Sequence, residues 1–385
     1  MPAPVDRDLP LSGITVVEFH SVAPAPLASR MLSDFGADVI LVERPGGNSA
    51  GMPMGDFGPV MSRGKRSIVL DLRDEADLAV ARSLAQTADV LIEGYRPGVL
   101  ERLGLGPDEL MATNPGLIYT RLTGWGQDGP FAQRMGHDIN YIAVAGALAQ
   151  VGTAERPVPP SAFVGDFASG SLMAVIGVLL ALVERTSSGR GQIVDAAIVD
   201  GAVHLLSPIL EIYNRGRLQP RGGNVMEGEA PYYRAYECAD GRWYTVGAVE
   251  SKLYVNLLAE LEITGVELAD QDDREQWPAL RDRIAAVFRT RTRDEWEERL
   301  GHLDVSGAPV LDIEDLVDNA HIRERGLIDV REGGWLEARP APRLTATPGH
   351  AGEVVSESGQ HGDEIRAQLE RDPGSFPTAV PADTR

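Results

Sequence analysis

The chain has 385 residues, of which 43% are apolar, so it has length and core material for about two domains. Its net charge of −21 excludes a nucleic-acid partner, which needs a basic face, but leaves room for an anionic small molecule held by a few local arginines. A lone cysteine, Cys238, rules out an internal disulfide, and Met1-Pro2-Ala3-Pro4-Val5-Asp6 lacks the basic-then-apolar pattern of a signal peptide; a soluble cytoplasmic protein is expected.

The first third alternates strand and helix patterns. Ile14 to Phe19 is a short β-branched run, followed by a helix from about Pro26 to Phe35 that Gly36 ends. Val39 to Val42 reads as a second strand and Ser67 to Leu72 as a third. Then come a helix near Glu75 to Ala88, a strand at Val90 to Ile92, and another at Leu117 to Leu122. Such alternation predicts a doubly wound parallel sheet, whose ligands sit at the carboxyl ends of the strands. The turn Phe19 to Pro26 holds no G-x-G-x-x-G, so Glu43 has no phosphate cradle ahead of it and a nicotinamide cofactor is not expected. Neither a P-loop nor a zinc-binding spacing occurs, so no metal is expected.

Asp166 to Glu184 reads as a long apolar helix. Its run Leu172 to Val183 is too short to span a bilayer, which takes about 20 residues, and is expected to be buried. Val194 to Asp200 is expected to open another helix. Tyr233 to Cys238 and Arg242 to Val246 flank Asp240-Gly241, a hairpin signal, and helical patterns follow to about Gly326. The expected organisation is a large domain over 1–200, a linker over 201–228, a small α+β domain over 229–326, and a segment over 327–385 that returns to the large domain.

Three groups are candidates for chemistry, and each has two readings. Asp166 precedes the apolar helix and is either its N-cap or an acid–base group beside helix N–H donors that would hold an enolate oxygen. His137 follows Gly136 in a loop and is either structural or a proton carrier; Asp138 beside it either fixes its tautomer or caps the next helix. Glu250 follows the second hairpin strand and is either a surface acid or a partner to these two. A histidine and a carboxyl group on opposite faces of one carbon suit proton transfer beside a thioester, because both are tunable towards neutral pH. Arg44, Arg96 and the cluster Arg63, Lys65 and Arg66 lie near strand ends where a phosphate would dock; Arg63 and Lys65 fit ordinary surface charge best.

Taken together, Leu11 to Glu18, Asp34 to Val39, Gly94 to Val99, Leu117 to Gln127, Gly136 to Tyr141, Val164 to Phe167, Gly189 to Ala197 and Tyr236 to Gly241 resemble the α-methylacyl-CoA racemases of the family III CoA-transferase superfamily. The resemblance runs from about residue 10 to 345. It implies a Rossmann-like large domain with a smaller α+β domain, in an interlocked homodimer. It implies that His137 and Asp166 carry the proton, with Glu250 bonded into the site. An acyl-CoA substrate would lie along Arg44, Val69, Leu70, Asp71, Leu72 and Arg96, with Gly124 and Asp138 in the same binding set and no further cofactor. Family III transferases, by contrast, use the aspartate at Asp166 as a nucleophile and generally lack the histidine. The chain departs from the racemase pattern at Ala162, at His20, Ala23 and Ala25 in the first loop, and in extra residues over Gly46 to Met61. His20 would fall near the acyl pocket or serve the loop's structure.

Overall fold

The computed structural model describes residues 9–22, 24–47 and 58–371; Ala23 and part of the Gly46 to Met61 stretch lie outside these. The chain divides into two compact units: residues 1–147, 160–207 and 329–385 form the first, and 148–159 with 208–328 the second. These bounds differ from the expected ones. Residues 201–207 stay with the first unit, and the stretch expected as a linker carries helix from Ser207 to Asn214.

In the first unit the elements run β1 (Thr15–Phe19), α1 (Pro24–Asp34), β2 (Asp38–Glu43), β3 (Lys65–Val69), α2 (Glu75–Thr87), β4 (Val90–Glu93), α3 (Pro107–Thr113), β5 (Ile118–Arg121), α4 (Asp138–Val144), α5 (Leu172–Ser188), β6 (Ile193–Asp195) and α6 (Ile198–Leu205). The sheet has six strands in the order β3-β2-β1-β4-β5-β6, all parallel. This is the doubly wound parallel sheet expected, and its order reverses between β1 and β4, where such sheets open a ligand crevice. Alternation along each strand feeds both faces. Val17, Phe19, Ile40 and Leu91 pack beneath α2 and α3, while Val16, Val39, Val90 and Ile92 pack beneath α1 and α5. The C-terminal segment returns to this unit: Ile365 is fully buried in the α2 face.

Two expectations around α5 are corrected. The helix begins at Phe163, and its first nine residues, Phe163–Ser171, wind as a π-helix before α5 continues it. Joined in this way, residues 163–188 are by length and composition long and apolar enough to cross a membrane, and much of this stretch is not buried. Ala174, Val178 and Ala181, at helical spacing, pack on the sheet, whereas Leu180 and Val183 on the outer side are 65% and 68% exposed. Val194 does not open a helix either. It sits in β6, which pairs with β5, and the helix starts four residues later at Ile198.

The basic cluster ahead of β3 is also corrected. Arg63 and Lys65 are not surface charge. Arg63 is wholly buried between Asp34 and Glu337, and Lys65 donates to Glu18 at 2.6 Å from a fully buried position. Arg66 pairs with Asp38 and Glu364. Ion pairs within the unit therefore occupy all three.

The second unit is α+β. After α7 (Ser207–Asn214), the strands β7 (Tyr233–Glu237) and β8 (Trp243–Gly247) form the expected antiparallel hairpin, and β9 (Gly307–Pro309) extends it to three strands. Helices α8 (Ser251–Glu260), α9 (Trp277–Phe288), α10 (Arg293–Leu300) and α11 (Ala320–Arg325) accompany it. Its core is aromatic: Phe288 stacks on Tyr236 and Tyr244 and tilts against Trp296.

Candidate active site

At the carboxyl end of the parallel sheet, the loops after β1, β4 and β5 enclose a cavity of about 380 Å³. Its walls include His20 and Ser21 after β1, Arg44 after β2, Tyr95 and Arg96 after β4, and Gly124 and Trp125 after β5, with His137, Tyr141 and Asp166 closing it. His137 and Asp166, from separate segments of the chain, thus face one space. A second cavity, about 500 Å³, shares Arg44 and Tyr95 with the first and is lined by Glu43, Leu70, Asp71 and Leu72. Val69 pairs with Glu43 at the end of β3 and lines neither cavity. Glu250 lies in the second unit, exposed at the N-cap position of α8.

The π-wound segment places Asp166, and its sequence explains the winding. Ser169 donates its hydroxyl to the Val164 carbonyl and Ser171 to the Asp166 carbonyl, each five residues back. These bonds satisfy carbonyls at the spacing a π-turn uses, and such turns are often found at functional sites. Asp166 is therefore the fourth residue of the segment and does not cap it. The backbone donors expected to hold an enolate are also taken. Asp138, the first residue of α4, accepts the N–H groups of Gly165 and Asp166 on its carboxylate, the latter at 2.8 Å. A Cβ at Gly165 would overlap that carboxylate, so only glycine allows this lock. Asp138 thus neither joins the His137 ring by a hydrogen bond nor lines the cavity; it buttresses the aspartate from behind.

Burial, with the Asp138 charge as the lesser cause, pushes the Asp166 carboxyl up to about 7. An aspartate raised in this way opposes folding once the unfolded chain ionises. Its cost grows as pH rises from the ordinary carboxylate range and is complete above the folded value. We expect Asp166→Asn to stabilise the protein at about pH 8 by about 1–2 kcal/mol, a figure reduced from the full linkage value because the side chain keeps some contact with solvent. The gain should shrink as pH falls towards about 5; urea unfolding at several pH values reads it, and a pH-independent gain would contradict carboxylate desolvation as its cause.

His137 stands at the N-cap of α4, with its backbone N–H held by the Asn140 side chain at 3.0 Å. Behind it Tyr141 donates to the Gly136 carbonyl and meets Trp125 edge-on at 4.8 Å. A Cβ on Gly124 would enter the Tyr141 ring, so glycine is required there. Sequence alone does not disclose these aromatic walls. The spacing of Gly124-Trp125, Gly136 and Tyr141 is visible in it, but nothing announces that one tyrosine closes on both glycines.

The sequence profile of CoA-transferase family III matches residues 11–361. The chain belongs to that family. Among its relatives, the α-methylacyl-CoA racemase of Homo sapiens is 39% identical over 369 residues, which cover 92% of this chain and 95% of the relative. Another family III member, the succinyl-CoA–D-citramalate CoA-transferase of Chloroflexus aurantiacus, is 33% identical across 94% of both chains. Among solved structures, a CAIB/BAIF family protein from Brucella suis superposes with a TM-score of 0.82 at 27% identity, covering 94% of this chain and 100% of that one.

Proposed function

We propose that the protein is a 2-methylacyl-CoA racemase, interconverting (2R)- and (2S)-thioesters by proton transfer between His137 and Asp166. The observation that carries this reading is the shared cavity: an imidazole and a carboxyl group from separate segments face one space where the sheet order reverses. One group takes the α-proton while the other protonates the opposite face of the enolate, so the atoms balance with no co-reactant and no cofactor. The carboxyl group suits either half-reaction, because at about 7 both of its protonation states are populated near neutral pH. Arg44 and Arg96 are assigned to the CoA phosphates, with Leu70, Asp71 and Leu72 lining the nucleotide end. A homodimer is proposed on the exposed apolar side of α5, tested by sedimentation.

Incubating a pure (2R)-2-methylacyl-CoA in heavy water, with no added cofactor, should give an equal mixture of epimers carrying α-deuterium. CoA passing to an added carboxylic acid without α-exchange would establish the transferase chemistry of other family members instead. Arg96→Ala should weaken CoA binding more than it slows bound substrate; the opposite pattern would remove Arg96 from the phosphate site.

A further inference from the structure

His20 and Ser21 follow β1 at the point where the sheet order reverses. The His20 backbone N–H donates to Val42 on β2 at 3.0 Å, and Ser21 presses against Gly94 after β4, where an added Cβ would stand 2.6 Å from its hydroxyl oxygen. The loop is therefore wedged between the strands on either side, and both side chains line the cavity that holds Asp166. The Ser21 hydroxyl is buried and has no hydrogen-bond partner among the described residues. Burial keeps the His20 imidazole below its ordinary value despite the opposing pull of Glu18 and Glu43, with Lys65 and Arg44 adding to the lowering, which favours the neutral ring that can both donate and accept. A purely apolar ligand on this wall would leave these groups buried and unpaired, which is costly.

The position of the pair identifies what covers it. Arg44 and Tyr95 belong to both cavities, so a ligand with its nucleotide in the second and its thioester at Asp166 passes between Arg44 and Tyr95 into the cavity that His20 and Ser21 also line. In a CoA thioester, the segment between nucleotide and sulfur is the pantetheine arm, which offers amide and hydroxyl groups. We propose that His20 and Ser21 hydrogen-bond the pantetheine arm and so select CoA thioesters over thioesters lacking it. This assignment rests on the acyl-CoA reading above.

The test is calorimetric binding of two probes, free CoA and 3′-phosphoadenosine 5′-diphosphate, which lacks the arm. His20→Ala and Ser21→Ala should each weaken CoA by about 3- to 10-fold and leave the nucleotide within about 2-fold, as for loss of one hydrogen bond. His20→Gln, which keeps a donor and an acceptor, should recover most of the loss, and thermal melts check folding. Equal weakening of both probes, or of neither, overturns the assignment. So does a loss seen only with an acyl-CoA and not with free CoA, which would move the pair to the acyl group. Wild-type protein binding neither probe would instead overturn the acyl-CoA reading itself.

Discussion

Replacing His137 by alanine is expected to slow racemisation by about 100- to 10,000-fold, the range for losing a positioned proton carrier. The informative result is what survives. With Asp166 intact, one epimer still presents its α-hydrogen to a working base, so in heavy water that epimer should acquire deuterium with retention of configuration. The other epimer should remain unlabelled. Asp166→Asn should give the mirror pattern, exchange surviving only in the epimer that faces His137. Each variant should keep its CoA affinity, since neither group lies in the cavity assigned above to the nucleotide end. Chiral chromatography with mass detection reads both quantities. Full inversion by His137→Ala would remove the imidazole from the mechanism; loss of exchange in both epimers would mean one base serves both faces. In wild type, the initial rate from the epimer that uses Asp166 as base should rise through about pH 7, because only the ionised carboxylate accepts a proton.

The parallel sheet and the hairpin were legible because hydrophobic period and turn chemistry are local. Val90 to Ile92 could be read as a buried strand from its own residues, and Asp240-Gly241 announced its hairpin. The strand at Ile193–Asp195 was hidden because three residues carry no period, and only pairing with β5 makes them a strand. The π-winding ahead of α5 was hidden as well: it depends on two serine hydroxyls finding carbonyls five residues back, and in a one-dimensional pattern it reads as ordinary apolar helix. For the site, motifs indicated His137 and Asp166 singly, whereas their common cavity depends on α4 and the π-segment meeting through Asp138. Charges were the least legible of all. Lys65 looks like surface until Glu18, 47 positions away, is placed beside it.

Arg63 is another case of that non-locality, and because its partners are buried, its removal should be strongly destabilising. Its Nη2 donates to both carboxylate oxygens of Asp34 at 2.8 and 2.7 Å, while Nη1 donates to Glu337, 274 positions away, at 2.6 Å and to the Ala338 carbonyl at 3.0 Å. One side chain thus ties the end of α1 to the returning C-terminal segment. Arg63→Ala leaves two buried carboxylates short of their main counterion, and breaking a buried pair from one side costs about 3–5 kcal/mol. Arg30, 3.8 Å from Asp34, and Arg331, 2.7 Å from Glu337, soften the loss and place it at the lower end. Arg63→Lys should also destabilise, because a single ammonium nitrogen cannot take the two separate places that Nη1 and Nη2 hold at Glu337 and Asp34. The sign of the pH dependence follows from Asp34, whose carboxyl burial already holds above its ordinary value. Without Arg63 it rises further, so the variant's deficit should be largest near neutral pH and shrink in acid as the orphaned carboxylates protonate. Urea midpoints across pH measure this. A deficit under about 1 kcal/mol, or one that grows on acidification, would mean the buried charges are compensated elsewhere.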